Sequence, residues 1–168
     1  MNDFSADAFW SFSLKLYSRS GIAKWLLQLQ DEHGADVNMV LFCCWCGKEG
    51  RVPLGDAFFL QTDRDLHEWR VEVVETLRRV RRRLKGQVVG VPGRLTDPLR
   101  EEVKRLEVEA ERISQSVIAS RAPPPSCVGG EAAIRSALDA YFKHADIMVT
   151  QKIRELFKKL VVESLLLV

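Results

Sequence analysis

Apolar residues recur along most of this chain with a helical period, and in one stretch the period disappears. Leu66, Trp69, Val73, Leu77, Val80 and Leu84 step by three and four residues, and Leu99, Val103, Leu106, Ala110, Ile113 and Val117 repeat the stepping. That spacing is the seam of two long helices, each burying one face. Thr62-Asp-Arg-Asp65 reads as a capping box at the start of the first, with Asp as the returning side chain. Gly86 to Thr96, with glycines 86, 90 and 93 and Pro92, turns the chain. Asp97-Pro98 then offers an N-cap followed by proline at the first helical position of the second. The two predict an antiparallel helical hairpin.

The period disappears between Val37 and Cys46, where Asn38 is the single internal polar side chain. A helix without a polar face has to be buried. Asp36 is its N-cap, and Gly34 ends the preceding helix in a left-handed conformation. Two helices come before it. Residues 6 to 17, capped by Ser5, bring Phe9, Trp10, Phe12, Ser13, Leu14 and Tyr17 within reach of the core. Residues 21 to 33, capped by Ser20, recur as Ile22, Leu26, Leu29 and His33. Residues 50 to 61, with Pro53 and Gly55, read as loop. Beyond the Pro/Gly-rich 122–130 stretch, Ile134, Leu138, Tyr141 and Ala145 form one stripe. Ile153, Leu156, Phe157, Leu160 and Val161 form another.

No alternating run is long enough to build a sheet, so the expected class is all-α. Three N-terminal helices pack on a long antiparallel helical hairpin, with one or two C-terminal helices added. Residues 1–121 would form the bundle core with its hairpin, 122–130 a linker, and 131–168 a C-terminal amphipathic segment.

Composition changes this picture little. A chain of 168 residues buries roughly 68–70% of its unfolded surface, enough for a core without staples. The formal charge of +2 predicts neither strong nucleic-acid binding nor membrane attraction overall. The apolar runs 37–46 and 161–168 fall well below the ~20 residues that span a bilayer. The N-terminal Met-Asn-Asp-Phe lacks the basic and apolar regions of a signal peptide, so the expected location is the cytoplasm, away from membranes.

Three constellations could carry chemistry. Gln30, Asp31, His33, Asp36 and Asn38 surround the turn at Gly34. They form either a polar pocket for a ligand or partner, or a set of caps and inter-helix bridges. An enzyme reading would make Asp31 or His33 a general base. The second is the run Arg78, Arg79, Arg81, Arg82, Arg83 and Lys85. Arg79, Arg82, Arg83 and Lys85 are candidate anion contacts, for nucleic acid in particular. Glutamates 101, 102, 107, 109 and 111 on the returning helix argue for neutralisation inside the hairpin instead. Arg78 and Arg81 could also turn towards Asp31 or Asp36. Third, Glu107 and Glu111 lie four apart, but the Glu-x-x-His of a di-metal bundle is missing, so no metal or cofactor is expected. Cys43 and Cys46 share the C-x-x-C spacing without a second ligand pair or a preceding strand. Buried free thiols are the better reading of Cys43, Cys44 and Cys46.

Phe9-Trp10-Ser11-Phe12-Ser13-Leu14, Leu29-Gln30-Asp31 and Asp36-Val37-Asn38 occur in this order, followed by Trp69, Leu77-Arg78, Arg81-Arg82 and Leu106-Glu107. In these pieces the chain resembles an uncharacterised proteobacterial family of short helical proteins, described only as a domain of unknown function. The resemblance covers residues 9 to about 115 and implies a bacterial cytoplasmic protein; it brings no activity, cofactor or catalytic residue. The expected function is therefore non-enzymatic binding or adaptation. It would recognise a protein partner, a second copy or a small polar ligand through Gln30, Asp31, His33, Asp36, Asn38, Arg78 and Arg81. The enzyme at the 30–38 turn and nucleic-acid binding through 78–85 are the alternatives.

Overall fold

The computed structural model describes residues 4–85 and 90–167; residues 86–89, in the turn expected between the long helices, lie outside the described residues. The protein is all-α, with no strand among the described residues. In chain order it forms α1 (Phe4–Tyr17), α2 (Ile22–His33), α3 (Val37–Lys48) and α4 (Asp56–Glu68). A π-helical segment (Trp69–Val74) follows, then α5 (Glu75–Leu84), α6 (Gly93–Ala119), α7 (Glu131–His144) and α8 (Gln151–Leu166). No helix among the described residues is long and apolar enough to cross a membrane. The chain divides into two compact units, one of residues up to Gln61 together with Gln115 onward, the other Thr62–Ser114.

The first unit is built on α3. Every residue from Met39 to Gly47 is buried. Phe42 meets Phe9 edge-on at 5.3 Å and stacks on Phe58 at 5.2 Å, with Trp45 at 5.8 Å. Helices α1, α2, α7 and α8 all pack on α3. The α7 crossing is closest at Gly47, where an added Cβ would lie 2.4 Å from the Ile134 Cα; only glycine lets the two backbones approach this far. Residues 126–130 lie along the end of α3, with the Ser126 N–H donating to the Gly50 carbonyl and the Gly130 N–H to the Gly47 carbonyl. The Pro/Gly stretch is thus docked, and the helices after it belong to the α3 core. They are joined by a short turn, and Thr150 caps α8 by accepting from the Ile153 N–H.

Several local expectations are corrected. The α2 cap is Gly21, left-handed at φ 78°, with no side chain capping it, so Ser20 does not take that role. On α1 the buried leucine is Leu16, and Leu14 is exposed. Helix α4 starts at Asp56, inside the expected loop, and Thr62 is a buried residue within it. Packing sets this start: Phe58 stacks on Phe42 and Phe59 lies 5.7 Å from Tyr141, which orders the turn before the capping box.

The second unit is the antiparallel hairpin, α4 through α5 running one way and α6 the other. The Trp69 Nε1–H donates to the Ala110 carbonyl at 3.2 Å, and Arg78 reaches Glu107 and Glu111. Its seam is the expected one only in part, with Leu66, Val103 and Ala110 buried as expected. Leu66 and Val74 are buried on the first rod, and Val80 is exposed. The π segment is the cause: its wider turn, with the Glu75 N–H donating to the Arg70 carbonyl, shifts the helical phase so that Val74 replaces Val73. On the part of α6 that belongs to this unit the buried positions are Thr96, Val103, Glu107, Ala110 and Ser114, and Leu99, Leu106 and Ile113 stand outside. This helix also begins at Gly93, ahead of Asp97-Pro98, with the Thr96 hydroxyl donating to the Gly93 carbonyl.

Candidate functional site

Three places hold the residues that could do chemistry. The first is the turn between α2 and α3. Gly34 closes α2 at φ 69°, its N–H donating to the Gln30 carbonyl. Asp36 caps α3, its Oδ1 accepting from the Asn38 N–H at 2.8 Å, while its own N–H donates to the Tyr141 hydroxyl at 2.7 Å. Asn38 Oδ1 accepts from Gln115 Nε2 at 2.9 Å. Asp36 and Asn38 therefore hold α3 against α7 and the end of α6. Gln30 is half-buried, and Asp31 and His33 are exposed. His33 Nε2 lies 3.9 Å from Glu32 Oε2. A hydrogen bond from Gln28, aided by the Lys152 ammonium, holds the Glu32 carboxyl below its ordinary value. The hollow beside His33, lined by Trp25, Glu32, Lys152 and Leu156, measures about 10 Å³, room for a single water and no more.

The second is the basic run of α5, and it is split by direction. Arg78 Nη2 lies 2.8 Å from Glu111 and Nε 3.3 Å from Glu107, and Arg81 also clasps Glu107. Burial pushes the Glu107 carboxyl up, but hydrogen bonds and charge from Arg81 and Arg78 together outweigh it and hold the group below its ordinary value. Arg79, Arg82, Arg83 and Lys85 are exposed, and the Arg79 Nη2 donates to Thr76 Oγ1. The structure thus keeps Gln30, Asp31, His33, Asp36 and Asn38 within the α3 unit and ties Arg78 and Arg81 to glutamates of the hairpin.

The third was not singled out from the sequence. A groove of about 310 Å³ runs between α1 and the end of α3, lined by Ala8, Phe12, Lys15, Trp45, Lys48, Glu49, Arg51 and Leu167, together with Ser5 and Ser11. The Arg51 guanidinium lies over the Trp45 ring, 5.3 Å from its centroid, and Nη1 donates to the Pro123 carbonyl at 2.8 Å. Its Nε–H is shielded from solvent and has no acceptor among the described residues. The sequence marks no groove here; it shows only Lys48 at the end of the most apolar helix and Arg51 just beyond it.

The cysteines of α3 are unsuited to thiolate chemistry. Burial pushes the thiols of Cys43, Cys44 and Cys46 up, Cys44 to about 12 against a small opposing pull from the Ser164 hydroxyl. Cys127 is the exposed one.

Over residues 8–118 the sequence matches the family model described as a protein of unknown function (DUF2390). No curated protein matches it, and no solved structure does.

Proposed function

Because the chain belongs to the DUF2390 family, whose function is unknown, we propose from its own surfaces that it is a non-enzymatic binding or adaptor protein whose hairpin docks a helix of a partner protein. One observation carries this reading. Leu95, Leu99, Leu106 and Ile113 are 63, 55, 47 and 47% exposed, and at this spacing they fall on a single line along α6. Four large apolar side chains in a row on one helix are the anchors of helix recognition. Glu102 and Glu109 border the line. If two copies of α6 paired antiparallel about Leu106, Glu102 of each, held by its own Arg105 at 3.0 Å, would face Glu109 of the other, a contact that gives self-pairing no opposite-charge partner across the line. The occupant proposed is therefore a different chain, presenting an apolar stripe with a basic edge.

The nucleic-acid alternative is weakened because Arg78 and Arg81, two of the six cations in the run, are engaged with Glu107. The catalytic alternative at the 30–38 turn is weakened because Asp31 and His33, its candidate bases, are exposed and the hollow beside His33 has room for one water. The bacterial and cytoplasmic setting belongs to the same proposal and rests on the family resemblance.

The test places a photo-crosslinking residue at Leu99, Leu106 or Ile113 of the full chain in its native cell, with exposed Leu14 as control. The reading expects one protein captured from all three positions, none from Leu14, and loss of capture in Leu106→Glu. Capture of a second copy of the chain alone, of nucleic acid, or of nothing would overturn it.

A further inference from the structure

We infer that the groove at Arg51 is a binding site for a small organic anion, a single carboxylate or phosphate head on an apolar body. This site is separate from the partner surface of the hairpin and stands or falls without it. At about 310 Å³ the groove lies at the lower end of the size range of small-molecule sites. Its walls divide by chemistry. Phe12, Trp45, Ala8 and Leu167 are apolar, while Lys15, Lys48 and Arg51 supply three cations against the one carboxylate of Glu49.

Neither Lys48 nor Arg51 forms an ion pair among the described residues. Arg51 is also already positioned: the Trp45 ring lies under its guanidinium and the Pro123 carbonyl holds Nη1. The rotamer entropy of that side chain is therefore spent before a ligand arrives. An anionic head would meet the charges of the guanidinium and Lys48, and the apolar body would lie along Ala8 and the narrow open edges of Phe12 and Trp45. A neutral ligand would do only the second, and inorganic phosphate only the first.

The experiment titrates the full, isotopically labelled chain with phenylacetate, phenyl phosphate, 2-phenylethanol and inorganic phosphate. It follows the Trp45 indole and Arg51 Nε resonances. Either organic anion should move both signals and bind at least about tenfold tighter than 2-phenylethanol, the worth of one charged hydrogen bond. Inorganic phosphate should be weaker than phenyl phosphate. Arg51→Gln should lose about tenfold in affinity and Arg51→Lys less. Should the Arg51 variants fail to fold, Lys48→Gln carries the test and should weaken the anions while leaving 2-phenylethanol unchanged. Equal binding of 2-phenylethanol, equal binding of inorganic phosphate, or unmoved Trp45 and Arg51 signals at millimolar anion would each overturn the assignment.

Discussion

In the α3 unit, the apolar stripes of α2, α7 and α8 are turned inward, although Leu14, Leu27 and Leu166 stand outside. Ile22, Leu26, Leu29, Ile134, Leu138, Leu156 and Leu160 all surround a helix that is itself buried from Met39 to Gly47. In the hairpin, an equally regular pattern leaves Leu95, Leu99, Leu106 and Ile113 outside, while Thr96, Glu107 and Ser114 are buried. Hydrophobic period alone says that a face exists; it does not say which of two adjacent faces is turned inward. In the α3 unit the question does not arise, because α3 has no second choice. In the hairpin the inward face is the one that carries Glu107, a carboxylate clasped by Arg78 and Arg81 at only 8% exposure. The leucine line beside it is left to the surface.

The comparison can be sharpened first by thiol labelling. Cys43, Cys44 and Cys46 all lie on α3, and Thr62–Ser114 contains no cysteine. In the folded protein a thiol reagent should modify Cys127 at least about a thousandfold faster than the three buried thiols, whose thiolate fraction is depressed. The three should then become reactive together as the α3 unit opens, whatever the hairpin does. Equal rates for all four in the native state would break the contrast at once.

Next in size is Phe42→Ala. Its ring is fully buried and contacts Phe9, Trp45 and Phe58, so urea unfolding should show a loss of about 3–5 kcal/mol. Smaller is Glu107→Gln, which unpairs two arginines and should cost about 1–3 kcal/mol at neutral pH. The sign of its pH dependence follows from the lowered carboxyl. The stabilisation is complete above the ordinary value of 4.5 and is lost as the pH falls through the lowered one. The gap between wild type and Glu107→Gln should therefore close in acid. A gap that widens in acid would contradict the clasp.

What could be read from the sequence follows the same division. The all-α class, the buried third helix, the Asp36 cap and the Gly34 terminus were legible because each rests on residues adjacent in the chain. So were the stripes of α7 and α8. The start of α4 was not, because Phe58 and Phe59 are ordered by Phe42 and Tyr141, partners distant in sequence. The hairpin seam was legible only at Leu66, Val103 and Ala110, because a π turn shifts one rod and the other turns a paired glutamate inward. Of the polar turn, the roles of Asp36 and Asn38 as cap and bridge were among the readings the sequence offered; only Gln115 and Tyr141, seen in the fold, say which bonds are made. The Arg51 groove was invisible for the same reason as the α4 start. Phe12, Trp45, Arg51 and Leu167 come together from both ends of the chain and its middle.

The most direct test of the account is a paired measurement, the unfolding free energies of Leu41→Ala and Leu106→Ala against wild type. Leu41 is buried in α3 and Leu106 stands on the open line of α6. Leu41→Ala should lose about 2–5 kcal/mol, and Leu106→Ala should stay within about 0.5 kcal/mol of wild type. Comparable losses from the two would mean that Leu106 belongs to a core, and would remove the surface on which the proposed partner docks.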